Sequence, residues 1–115
     1  MAKVVIIDDS RLSVSALQNM IQKIGHEVIG TAFDGEFGIE KVKETKPDVV
    51  LLDFVMPGKD GLETAQGIRK IAPGVKIIMV TQNPLDDAVI SKIGALDHIL
   101  KPITVNKLQS AFTKI

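Results

Sequence analysis

The chain has no cysteine, no tryptophan and no tyrosine, and only four phenylalanines. Without cysteine there are no disulfides, no thiolate metal sites and no thiol catalysis, a composition that suits a reducing cytosol. So few aromatics leave little to stack on nucleobases. Charge of one sign is also missing, because 14 basic and 14 acidic residues cancel. No net basic field draws the protein to nucleic acid or to an anionic membrane. Long apolar runs are absent as well. The opening "MAKVVIIDD" is too short for a secretory core, and nothing later reaches the length of a membrane span. These absences predict a cytoplasmic domain with no direct nucleic-acid partner and no membrane insertion.

What is present suits a packed core: 115 residues, 45% hydrophobic and 24% charged, predict one domain over residues 1–115. Apolar runs recur at even spacing. Val4 to Ile7, Val49 to Leu52 and Ile77 to Val80 are continuous rather than alternating, as strands covered on both faces are. "HEVIG" and "DHIL" are shorter and more polar, which suits edge strands. Between them the period turns helical. Val14, Leu17, Ile21 and Ile24 share a face after Ser10, an expected N-cap. Leu62, Ala65, Ile68 and Ile71 do so after Gly61, and Val105, Leu108, Phe112 and Ile115 after Thr104. Asp34 suits the cap of a helix carrying Ile39 and Val42, and Pro84 the first turn of a helix ending near Ile93. Alternating strands and helices predict an α/β fold, a three-layer doubly wound (βα)5 parallel sheet. Apolar strands inside and weaker ones outside give the flavodoxin-like order 2-1-3-4-5.

In such sheets ligands bind at the carboxyl ends of the strands. There the first strand delivers Asp8 and Asp9, the third Asp53, the fourth Thr81 and the fifth Lys101. Any one of these residues can simply end a strand. Gathered together they repel, since three carboxylates and one ammonium leave an excess of negative charge that a divalent cation cancels. Oxygen ligands alone indicate a hard ion, Mg²⁺ or Mn²⁺. A cation beside a carboxylate, a hydroxyl and an ammonium makes a phosphoryl-transfer site, in which an aspartate can serve as nucleophile. Asp53 stands alone on a central strand and is the better nucleophile, while the adjacent Asp8 and Asp9 suit holding the cation. Lys101 can pair with Asp53 and then with a phosphoryl oxygen, to which Thr81 can also donate.

Four motifs carry a resemblance. "VVIIDDS", "VVLLDFVMPGKDG", "IIMVTQN" and "HILKPI" occur in order, at matching spacing, over essentially the whole chain. Together they resemble the receiver domain of two-component response regulators, with the single-domain CheY type nearest in length; CheY is itself a standard example of the 2-1-3-4-5 order. The resemblance implies Asp53 as phosphoacceptor, taking phosphate from a sensor histidine kinase or phosphotransfer protein, and a downstream protein target. It implies Mg²⁺ held by Asp8, Asp9, Asp53 and the Val55 backbone carbonyl. It further implies Thr81 and Lys101 as sensors of the phosphate, and a cis Lys101–Pro102 bond. Catalysis would extend only to the protein's own phosphorylation and dephosphorylation. In the family, movement of the threonine turns an aromatic on the fifth strand inward and alters the surface of helix 4, strand 5 and helix 5. Here that position is His98, which is either a switch residue or an ordinary half-exposed histidine.

Other readings share the fold. A flavin binder would need hydroxyls rather than two aspartates after the first strand, and a DxD-type hydrolase would need an acid where Val55 stands. A phosphorylation-independent binding module remains open, as does a receiver cut from a larger transcription regulator. His26 reads as a surface turn residue. Met56, Pro57, Gly58, Asp60 and Gly61 read as a shaped loop, Gly30, Gly35 and Gly38 as packing or turn positions, and "GLETAQGIRK" as a helix with a solvated charged face. Two departures from the family pattern concern rate. Gln82 replaces the usual small residue after Thr81, and Val55 cannot orient an attacking water. Slow loss of phosphate is therefore expected; decay followed by intact mass in Mg²⁺ checks it, and a half-life of a few seconds contradicts it.

Overall fold

The computed structural model of the chain describes residues 1–56, 58 and 60–115, and Pro57 of the loop expected above lies outside them. Five strands, β1 (Lys3–Ile7), β2 (Glu27–Ala32), β3 (Val49–Asp53), β4 (Lys76–Thr81) and β5 (Asp97–Leu100), pair in parallel in the order β2-β1-β3-β4-β5. The helices α1 (Arg11–Lys23), α2 (Gly35–Thr45), α3 (Gly61–Ile71), α4 (Asp87–Ile93) and α5 (Val105–Phe112) alternate with them. The expected α/β fold and strand order are those observed.

Strand alternation divides the core. Val4, Ile6, Val49, Leu51, Ile78 and Val80 face one way and pack with Val14, Leu17, Ile21, Leu108 and Phe112 of α1 and α5. Val5, Ile7, Val50, Leu52, Ile77 and Met79 face the other way and pack with Val42, Ala65, Ile68 and Ile93 of α2, α3 and α4. All twelve of these strand residues are buried, so a continuous apolar run was the right signature for β1, β3 and β4. In β2 the register against β1 shifts by one residue between Val28 and Gly30, and the strand continues to Ala32. That irregularity breaks the period of two and explains why "HEVIG" marked only part of the strand.

Each helix begins on a side-chain cap: Ser10, Asp34, Asp60, Asp86 and Thr104 each accept a backbone N–H three residues on. Two expected starts are thereby corrected. The cap of α3 is Asp60, and Gly61 is its first residue; a Cβ there would lie 2.5 Å from the Phe54 Cα. Pro84 precedes α4 rather than opening it, because the Asp86 carboxylate, two residues on, caps the helix by accepting the Val89 N–H. Gly38 is likewise a close approach, where a Cβ would meet the Ile7 side chain at 2.5 Å. Ile71 and Ile115, expected on buried faces, are 41% and 44% exposed, since one ends α3 and the other lies beyond α5.

Two residues read as solvated are tied into the fold. His26 is half-buried; its Nδ1 accepts from the Ala2 N–H at 2.8 Å, and its ring lies 4.7 Å from that of Phe112. Arg69, on the charged face of α3, reaches the end of α4. Its Nη2 donates to the Gly94 carbonyl at 2.7 Å and its Nε to that of Ile93 at 3.3 Å, while Nη1 donates to the carbonyls of Pro73 and Val75. One guanidinium thus satisfies carbonyls from two separate turns. Arg69→Ala is expected to lower the unfolding free energy by about 2 kcal/mol. The exposed Lys70→Ala is expected to change it little, and paired urea titrations compare the two.

Candidate phosphoryl site

The carboxyl edge of the sheet brings together all five polar side chains expected there. Asp8 immediately follows β1, Asp53 ends β3, Thr81 ends β4 and Lys101 immediately follows β5. Asp8, Asp53 and Thr81 are buried, and Asp9 is exposed at the rim. One carboxylate oxygen from each of Asp8, Asp9 and Asp53 lies within 4.8 Å of the others. The Lys101 Nζ is 3.7 Å from Asp53 Oδ1 and 4.0 Å from Asp8 Oδ2. These are long ion pairs, so a single ammonium is shared between two carboxylates without bonding tightly to either.

Local chemistry explains the placement. The backbone N–H of Ser10 donates to Asp8 Oδ1 at 2.9 Å while the Ser10 hydroxyl caps α1, so "DDS" both turns the chain and aims one acid. Lys101 is held at the end of β5 by its own N–H, which donates to the Thr81 carbonyl at 2.7 Å, and the Lys101–Pro102 bond is cis. The β5 register sets His98 beside Met79, where it is half-buried. Val55 is 73% exposed, and Gln82 is exposed next to Thr81.

The electrostatics follow from burial. Burial, then the neighbouring Asp8 charge, pushes the Asp53 carboxyl up to about 6, although Lys101 and the Val55 N–H act in the opposite direction. Asp8 is also raised, chiefly by burial. Among the described residues, Asp8 Oδ2 and Thr81 Oγ1 are buried side-chain atoms with no hydrogen-bond partner. Unsatisfied buried groups of this kind are costly, and Asp8 Oδ2 lies 4.0 Å from the Lys101 ammonium. The donor set is all oxygen and clustered, which fits a hard divalent cation.

Such an edge, on this sheet, defines a receiver domain. Residues 4–113 match the response regulator receiver domain family, and the chain belongs to it. It is 37% identical over 115 residues to the chemotaxis protein CheY of Thermotoga maritima, with 98% of this chain and 96% of that protein covered. It superposes on the chemotaxis protein CheY4 of Vibrio cholerae with a TM-score of 0.91 at 27% identity, covering 100% of this chain and 98% of the other. CheY of Borrelia burgdorferi, crystallised in a complex with CheX, BeF3 and Mg²⁺, gives 0.89 at 28% identity, covering 96% and 86%.

Sequence reasoning missed Lys107, whose ammonium reaches the backbone on both sides of Lys101. The available signal was a lysine in the first turn of α5, where an acidic residue is normally favoured. Asp53 generates the prediction here. A carboxyl raised in the folded state holds its proton between pH 4 and 6, where the unfolded chain has lost it. Stability is then lost as pH rises through that window. In metal-free buffer, Asp53→Asn is expected to match the wild type near pH 4 and to exceed it by on the order of 1–3 kcal/mol at neutral pH. Urea unfolding across pH is the measurement.

Proposed function

We propose that this protein is a cytoplasmic phosphoacceptor of a two-component pathway, phosphorylated on Asp53. An Asp53 carboxylate oxygen attacks the phosphorus of a phosphohistidine on a sensor kinase or phosphotransfer protein. The new O–P bond forms as the P–N bond breaks, and the departing imidazole keeps the electron pair and takes up a proton. Asp8, Asp9, Asp53 and the Val55 backbone carbonyl are the residues that would hold Mg²⁺, or Mn²⁺. The cation, when bound, supplies positive charge against the phosphoryl oxygens. Lys101 pairs with Asp53 beforehand and with a phosphoryl oxygen afterwards, and the Thr81 hydroxyl donates to another. The protein catalyses only its own phosphorylation and dephosphorylation, and its output is a changed surface of α4, β5 and α5 offered to a downstream protein.

The observation that supports this reading most is the buried cluster. Asp53 shares one ammonium with Asp8, at 3.7 and 4.0 Å, beside a buried hydroxyl with no partner. A structural ion pair would be closer and satisfied. Sharing of this kind suits a lysine that must change partners when a phosphoryl group arrives. His98 occupies the edge strand of the output surface, and its ring would supply the switch.

Incubation with acetyl phosphate and Mg²⁺ is expected to add one phosphate by intact mass. Both Asp53→Asn and removal of the cation with chelator are expected to abolish the gain. No gain in the wild type would favour a phosphorylation-independent binding module instead. His98→Tyr is expected to alter phosphate-dependent binding of a downstream partner without altering the mass gain; unchanged binding removes the switch role.

A further inference from the structure

Lys101 works only if its backbone is held. Its side chain must extend from the end of an edge strand to carboxylates on β1 and β3, and small displacements at a reacting centre have large effects on rate. On one side the Lys101 N–H is fixed to the Thr81 carbonyl of β4. Beyond β5, among the described residues, no further strand fixes the other side. That side is met by α5. The Lys107 Nζ donates to the Leu100 carbonyl at 3.0 Å and to the Pro102 carbonyl at 2.9 Å, the residues directly before and after Lys101.

The position of Lys107 makes this an unusual choice. Thr104 caps α5 by accepting the Lys107 N–H at 3.2 Å, so Lys107 stands where an acid would complete a capping box. A lysine there sets a positive charge against the positive end of the helix. Two charge-assisted bonds to carbonyls offset that disadvantage and join helix to strand end. A second lysine joins the same two elements at their far end, where the Lys114 Nζ lies 2.9 Å from Asp97 Oδ2. The two contacts differ in one respect: Lys107 brackets the residue that reaches the site, and Lys114 binds the start of β5, remote from it.

We propose that Lys107 is a positioning residue for Lys101, holding the end of β5 so that the Lys101 ammonium stays between Asp8 and Asp53. Its effect on rate rests on the reading of Asp53 as phosphoacceptor; its effect on Lys101 does not. Two readouts separate these. With acetyl phosphate as donor, Lys107→Met is expected to slow phosphorylation by about fivefold, Lys107→Arg to restore it to within about twofold, and Lys114→Met to leave it unchanged. Independently, the Lys101 Cε signal, assigned by its loss in Lys101→Arg, is expected by NMR to move toward that of a free lysine in Lys107→Met and to stay in place in Lys107→Arg and Lys114→Met. An unmoved Lys101 signal in Lys107→Met overturns the proposal. So does a wild-type rate in that variant, or an equal loss of rate in Lys114→Met. If the wild type itself takes no phosphate, the phosphoacceptor reading fails, and the NMR comparison still decides the role of Lys107.

Discussion

Repulsion among carboxylates at one sheet edge, balanced by a single shared lysine, is the constraint around which this molecule is built. Two like charges about 5 Å apart repel by roughly 3 kcal/mol at an effective dielectric of about 20, and an ammonium at about 4 Å returns roughly 4. Attracted to both Asp8 and Asp53, the one lysine therefore offsets most, but not all, of the pairwise repulsions among Asp8, Asp9 and Asp53. Exposure of Asp9 lets water screen its share. Asp8 and Asp53 have no such relief, and their carboxyls are pushed up. The unbalanced charge is held by central strands with both faces buried, so it cannot relax by moving the backbone.

The same edge carries other aspartates, and what separates them is whether they cap a helix or share the lysine. Helices begin where strands end, so Asp34, Asp60 and Asp86 also lie on the carboxyl side of the sheet. Each of them accepts a backbone N–H at the start of its helix. Such acids are neutralised locally by the free N–H groups and the helix dipole. Asp53 ends its strand with a loop between it and α3, and Asp60 rather than Asp53 caps that helix. The loop in "DFVMPGKDG" thus divides two acids of identical chemistry, leaving the first to the shared lysine and engaging the second as a helix cap.

This division accounts for what was legible in the sequence. Buried central strands announce themselves as continuous apolar runs, and the residues following them are fixed by chain connectivity, so Asp8, Asp9, Asp53, Thr81 and Lys101 could be brought together without coordinates. The strand order followed from the same contrast between apolar and polar strands. Long basic side chains were not legible. Arg69 and Lys107 on their helices, and Lys114 just past the end of α5, stand at positions whose pattern marks them as solvated, yet each spans to a neighbouring element. Where their heads land depends on how helices pack, which no local pattern records. His26 was misread for the same reason, since its partners Ala2 and Phe112 are remote in sequence.

The uneven anchoring of α4 follows from these long contacts. Ile93 is the only buried residue of that seven-residue helix, and it lies at the end that Arg69 ties to α3 through the carbonyls of Ile93 and Gly94. At the other end, Gln82, Asn83 and Pro84 are exposed between Thr81 and the Asp86 cap. Leu85 and Val89 at that end are only partly buried against the core, so less apolar area is held there than at Ile93. The Thr81 hydroxyl, with no hydrogen-bond partner among the described residues, stands at the head of that exposed segment. In the proposed role of Thr81, a new hydrogen bond there would act beside the less buried end of α4, while Arg69 and the buried sheet hold the other.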